Sequence, residues 1–189
     1  MNKIEVVGID PSLRNFGMSR ALIDLDTLEI EVTDLKLISP DTIDKTMRKV
    51  VRRNSDDLRR ARYLHDGMQD YVKGARLAFV EVPVGSQSSR AMASYGICVG
   101  VLASCPVPII EVTPTEVKLT ATGSKVASKQ QMIDWASSVY PEAPWLTRKP
   151  KGKGVPTAAN EHLADSVAAI HAGILTEQFG QLMSLLKAA

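Results

Sequence analysis

Apolar and polar positions along the 189-residue chain fall into blocks of two different periods. Short apolar runs at 4–7 and 77–80 read as buried strands, and each is followed closely by a carboxylate, Asp10 and Glu81. Residues 3–9 are the first predicted strand, 11–16 a turn-rich loop, and 17–26 with 27–39 a hairpin or meander of two more strands. From 41 to 73 the apolar residues Ile43, Met47, Val50, Leu58, Ala61, Met68 and Val72 recur at multiples of three and four, which is a helical stripe with a candidate break at Asn54 and Ser55. The pattern returns to strand at 77–81, helix at 86–104, strand at 107–112 and helix at 125–140. Such alternation implies parallel βαβ units.

The stretch 141–160 holds Pro141, Pro144, Pro150 and Pro156 with Gly152 and Gly154, which predicts a loop or mobile arm, irregular through most of its length. A helical pattern resumes over 161–176 through Leu163, Val167, Ile170 and Ile174, and Phe179, Leu182, Met183 and Leu186 continue an apolar face beyond it. There is no internal repeat. With 44% hydrophobic residues the chain can bury one sizeable core, so a single domain over 1–189 is expected, carrying an irregular arm at about 141–160. No stretch approaches the ~18 apolar residues of a membrane span, and the first three residues lead into a strand rather than a signal peptide. A cytoplasmic protein is expected.

Cys98 and Cys105 are seven residues apart on one predicted helix. A rise of ~1.5 Å per residue separates them by ~10 Å, beyond the ~7 Å reach of a disulfide. They read as small buried apolar side chains.

The formal charge of +2 is nearly balanced, so a nucleic-acid argument must come from local clusters. Residues 145–153 contain Arg148, Lys149, Lys151 and Lys153 and no acid, on a backbone that proline and glycine keep irregular, and such an arm suits phosphate contacts. A second run, Lys45, Arg48, Lys49, Arg52, Arg53, Arg59, Arg60 and Arg62, lies on the predicted helix and is partly offset by Asp44, Asp56 and Asp57. It reads equally as a solvated face and as a DNA surface.

Two strand-end carboxylates cost several kcal/mol to bury unpaired. His162 and Asp165, at i and i+3 of a predicted helix, add two more metal-ligating groups on one face, and Glu161 shares that face with Asp165 and competes with His162. Singly each has a plainer role: Asp10 capping its loop, Glu81 paired to an arginine, His162 on a helix surface. Together they suggest a divalent-metal site. An oxygen-rich set suits Mg²⁺ or Mn²⁺, and two ions ~3.5–4 Å apart can activate water and stabilise the leaving oxygen of a phosphodiester.

Several segments, taken in order, resemble the motifs of RuvC-type Holliday junction resolvases: Gly8-Ile9-Asp10-Pro11-Ser12 with Gly17, Val80-Glu81-Val82, Val117-Lys118 through Gly123-Ser124 to Ser128-Lys129, and His162-Leu163-Ala164-Asp165-Ser166. Gly-Ile-Asp alone also opens actin-like ATPases, but those need two copies of the fold and this chain has room for one. The resemblance implies an α/β ribonuclease H-like fold, a mixed five-stranded sheet with helices on both faces. It also implies a homodimeric, Mg²⁺-dependent endonuclease that cuts four-way DNA junctions, with two ions per site. Asp10, Glu81 and Asp165 would be the acidic ligands and His162 the fourth, while Lys118 and Lys129 match basic positions near the scissile phosphate.

Ser12, Arg14 and Asn15 in the loop after Asp10, Arg90 in the next helix, Lys125 and the arm cations complete the residues expected to meet DNA. Where family members often place an aromatic after the second acidic motif, this chain has Val82-Pro83-Val84-Gly85. The helix at 86–104 is rich in small residues, including Ser89, Ala93, Gly96, Gly100 and Ala103, which suits packing on the sheet or a dimer interface, and the resemblance implies the dimer. A branch-migration motor or phage recombination machinery is the further partner expected. A flap or RNA–DNA hybrid nuclease and a non-catalytic junction-binding module are the competing functions.

Overall fold

The computed structural model describes residues 3–40, 53–148 and 155–188. Three strands, β1 (Lys3–Asp10), β2 (Phe16–Asp24) and β3 (Ile30–Ile38), form an antiparallel meander. β4 (Leu77–Glu81) then adds parallel to β1, and β5 (Ile109–Val112) parallel to β4, giving the order β3-β2-β1-β4-β5. The parallel half requires crossovers, and these are helical.

Alternate residues of each strand serve opposite faces of the sheet. Val7 and Ile9 of β1, Met18 of β2 and Val80 of β4 join Leu64, Met68, Val101 and Leu102 from α1 (Arg53–Tyr71) and α2 (Ser89–Leu102). Val6, Ala21, Leu77 and Phe79 pack the other way, against Ile170 of α5 (Asn160–Gly173) and Phe179 and Met183 of α6 (Glu177–Ala188). A third cluster sets α3 (Pro114–Thr122) and α4 (Lys129–Val139) on a face of α5 made of Ala164, Ala168, Ala169 and Ala172. Among the described residues no helix is long and apolar enough to cross a membrane.

Several local expectations need correction. Asn54 and Ser55 do not break a helix but lie in the first turn of α1, where short polar side chains are tolerated, while 41–52 lie outside the described residues. The segment 113–124, left without an element by its weak apolar period, contains α3. Its signal is local: Thr113 and Glu116 form a capping box, Pro114 occupies the first turn, and Gly123 closes the helix in the left-handed conformation. α2 ends at Leu102, so Cys105 sits beyond the helix, and both cysteines are free thiols. Within the arm, β6 (Thr147–Arg148) pairs antiparallel with β7 (Val155–Pro156), and 149–154 lie outside the described residues. The buried Asn160 amide ties its base, donating to the Leu146 carbonyl and accepting from the Leu146 N–H, both at 2.9 Å.

Glycines decide how near α5 lies to the sheet. A Cβ on Gly8 would overlap the Ser166 carbonyl, one on Gly17 the His162 carbonyl, and one on Gly173 the Phe79 ring. Gly17→Ala must therefore push the first turn of α5 away from β2, at a cost of about 1–3 kcal/mol as in other overpacked cores. Denaturant unfolding measures that cost, and Gly180→Ala in α6, with no neighbour within 4 Å of the new methyl, should be neutral or slightly stabilising.

His171, on α5, stacks edge-on with Trp135 at 5.2 Å and has Nε2 2.7 Å from the Tyr140 hydroxyl, and burial pulls its pKa down to about 4. The native state therefore resists a proton that the unfolded chain takes up below about pH 6.5. Its contribution to stability is intact above that pH and declines between pH 6.5 and 4, by up to ~3 kcal/mol. Chemical denaturation of wild type and His171→Gln across this window should show the variant gaining on the wild type as pH falls.

Candidate metal centre

Strand register brings the first two carboxylates together. Asp10 ends β1 opposite Gly17 of β2, and Ile9 lies beside Val80 of parallel β4, so Glu81 follows next to Asp10. With no side chain on Gly17, α5 crosses this end of the sheet, and the His162 Nδ1–Asp10 Oδ2 distance is 2.6 Å. One turn along α5, Asp165 faces the same region. All four residues expected at the site from sequence are thus on one side of the sheet's carboxyl end, where ligands of open α/β folds characteristically sit.

The cost of this arrangement appears in the protonation of each acid. Burial pushes Glu81 up to about 9, with the Asp10 and Asp165 charges adding to it and Lys118 opposing. Asp165 rises to about 7, again through burial first and then repulsion by Asp10 and Glu161. Asp10 is raised by burial against the pull of the His162 hydrogen bond. For His162, burial favours the neutral ring, yet the Asp10 hydrogen bond and the charges of Asp10, Glu161 and Asp165 together leave its pKa raised. Asp165 Oδ1 is buried and has no hydrogen-bond partner among the described residues.

Three mutually repelling carboxylates and an orphaned oxygen match the needs of a hard divalent cation, which takes oxygen donors and compensates their charge. The fit is not that of a closed cage. Among the described residues, no three histidine, cysteine or acidic side chains already converge as metal ligands. His162 is turned toward Asp10 through Nδ1, which leaves Nε2 as its remaining nitrogen.

The basic companions divide. Lys118, half-buried on α3, stands near enough for its charge to act on both Glu81 and Asp165. Lys129 opens α4 and forms a 2.8 Å ion pair with Glu161, so the acid that rivals His162 as a ligand is engaged elsewhere. Lys125 is exposed on the turn between α3 and α4.

Beyond Asp10, the Ser12 hydroxyl accepts from the Arg14 and Asn15 backbone N–H groups, and Asn15 Oδ1 accepts from Ser39. Ser12 and Asn15 therefore shape this loop. Ser12, Arg14 and Arg90 line an open groove of about 620 Å³ with Arg60, Ser94 and Tyr95. Arg90 is not an uncompensated cation, since it grips the buried Asp57 at 2.5 and 2.6 Å. Sequence reasoning gave no site role to Tyr95 and placed Arg60 only in a basic run weighed as a solvated face or a DNA surface. Their only signal was a place on helix faces that turn out to oppose each other. Arg148 is exposed on β6, and Lys149, Lys151 and Lys153 lie outside the described residues.

α2 serves two purposes. Cys98, Val101 and Leu102 are buried against the sheet, while Met92, Ala93, Gly96, Val99, Gly100 and Ala103 form an exposed apolar face. In the loop after Glu81, Val84 is 78% exposed.

No protein-family model and no curated sequence matches the chain. Solved structures do match. The Thermus thermophilus RuvC structure is 17% identical with a TM-score of 0.63, covering 94% of this chain and 97% of its own. RuvC from T. thermophilus in complex with Holliday junction substrate is 16% identical with a TM-score of 0.64, covering 94% and 96%. The fowlpox virus resolvase in complex with Holliday junction DNA is more distant, 13% identical with a TM-score of 0.50, covering 97% and 99%. The mixed five-stranded sheet with helices on both faces is thus the ribonuclease H-like fold of RuvC, and it extends over nearly the whole chain.

Proposed function

We propose that the chain is a metal-dependent, structure-selective endonuclease that resolves four-way DNA junctions by phosphodiester hydrolysis, as a single domain with a basic arm. The observation that carries this reading is the trio Asp10, Glu81 and Asp165, buried together with their pKa values raised and one Asp165 oxygen unpartnered. A folded protein keeps such repulsion where a cation and a charged substrate relieve it. The likeness to RuvC supports the fold on which this chemistry is hung.

Asp10, Glu81 and Asp165 would hold Mg²⁺ or Mn²⁺, with His162 as the fourth candidate. A pair of such ions supplies a Lewis acid that activates water and stabilises the leaving oxygen of an in-line displacement. The chain's own residues do the rest. Asp10 orients the His162 ring through Nδ1, leaving Nε2 to ligate or to exchange a proton at the reacting phosphate. Lys118 and Lys129 offer ammonium charge to the transition state. The groove with Arg14, Arg90 and Tyr95 guides one arm of the substrate away from the centre, and Arg148 begins a second set of phosphate contacts. A cytosolic setting with recombination machinery, host or phage, suits that substrate.

Asp165→Asn tests the centre in two ways. Cleavage of a synthetic four-way junction should fall by ~10²–10³-fold or more. The metal-free variant should also unfold at a higher temperature than wild type, because a repelling charge is gone, and should lose the rise in midpoint that Mg²⁺ gives the wild type. Wild-type turnover on flaps or RNA–DNA hybrids but not on junctions would redirect the assignment.

Paired cutting of a two-fold junction needs two centres, and the apolar face of α2 is the surface suited to an isologous dimer. Sedimentation at micromolar concentration should show a dimer. Val99→Lys should shift it to monomer and convert paired incisions into single nicks.

A further inference from the structure

We propose that Glu161 is a positioning residue, which tethers the Lys129 ammonium at the rim of the carboxylate centre. This rests on the nuclease reading above and goes beyond it by giving a role to an acid outside the ligand set. The two groups form a 2.8 Å ion pair between the first turns of α5 and α4, with the Glu161 side chain 17% exposed and that of Lys129 77% exposed.

The placement of Lys129 is unfavourable on local grounds. It is the first residue of α4, where the helix dipole repels a cation. Its backbone is nevertheless firmly held. Ser128 caps the helix and Gln131 completes a reciprocal capping box, so the Cα of Lys129 is fixed while four side-chain bonds remain free to turn. An exposed lysine in this setting would sweep a wide volume of solvent. Glu161 supplies the counter-charge that the first turn of α4 lacks, and it stands at the amino end of α5, where the dipole favours an acid.

The pair is also in electrical contact with the centre. Lys129 lies near enough to Asp10 and Asp165 for their charges to raise its pKa, after the larger effect of Glu161 itself. Successive residues of α5 point about 100° apart, which lets His162 turn to Asp10 while Glu161 turns to Lys129. The ammonium is thereby held beside the ligands without occupying them. An incoming phosphate meets a cation that is already confined, so less of its motion has to be frozen in the transition state.

Two measurements on the full chain test this. In the metal-free protein, acetylation by a water-soluble amine-reactive ester, followed by mass spectrometry, should modify Lys129 severalfold faster in Glu161→Gln than in wild type. Lys125 should be unchanged. In junction cleavage, Glu161→Gln should lower kcat by roughly tenfold to a hundredfold with junction binding in Ca²⁺ preserved. Glu161→Asp should recover part of the loss, and in a Lys129→Met background Glu161→Gln should add nothing. Equal labelling of Lys129 in wild type and variant would overturn the tether. A full additional loss in the Lys129→Met background, or weaker Mg²⁺ binding by calorimetry in Glu161→Gln, would overturn the positioning role and make Glu161 an independent group or a ligand. A wild-type protein that cuts no junction would remove the nuclease reading, while the labelling result would still decide whether the tether exists.

Discussion

The closeness of α5 to the carboxyl end of the β1–β2 hairpin is the constraint on which the site depends. Helices normally stand off a sheet by the length of the side chains between them. Here the intervening side chains are missing, because Gly8 lies under the Ser166 carbonyl and Gly17 under the His162 carbonyl. A helix backbone resting on a strand backbone places His162 within hydrogen-bond reach of Asp10 and brings Asp165 over the same region. The alanine face of α5 repeats the device on its other side, allowing α3 and α4 to approach with Lys118 and Lys129.

What this approach assembles is electrostatically unfavourable in isolation. Glu81 and Asp165 are driven toward their neutral forms by burial and by the charge of Asp10. Structural acids in the same chain show the opposite behaviour: Asp57 is held below the usual carboxylate range by the Arg90 hydrogen bonds. Asp57 is paired to a guanidinium, whereas desolvation is the leading cause of the rise at Glu81 and Asp165. The fold supplies Asp57 with a fixed partner, while Asp165 Oδ1 has no hydrogen-bond partner among the described residues.

The strands and the apolar helices were legible because each rests on a strong local signal, whereas the choice of His162 over Glu161 rested mainly on the resemblance. Apolar runs ending in Asp10 and Glu81 fix strand ends, and the spacing of His162 and Asp165 fixes a helix face. α3 escaped because its apolar residues are few and its definition lies in its caps, Thr113, Glu116 and Gly123. The β6–β7 pairing was hidden for a different reason: two-residue strands carry no periodicity, and their anchor, Asn160, reaches back across 14 residues to Leu146. Arg60 and Tyr95 meet in a groove only through the packing of α1 against α2, which no single segment encodes.

The amino end of α5 concentrates these separate relationships in six residues. Asn160 holds the base of the arm, Glu161 the lysine at the head of α4, His162 the first strand carboxylate, and Asp165 faces the centre with an unpaired oxygen. Because successive helix positions point in different directions, one rigid element can address an arm, a helix and a strand together. The same economy makes the parts interdependent. A shift of this turn by an ångström, from substrate pressing on the arm or from a methyl at Gly17, would change the His162–Asp10 contact and the reach of Lys129 at the same moment. The base of the arm, Lys129 and Asp10 therefore all meet one turn of α5, whose approach to the sheet Gly17 permits.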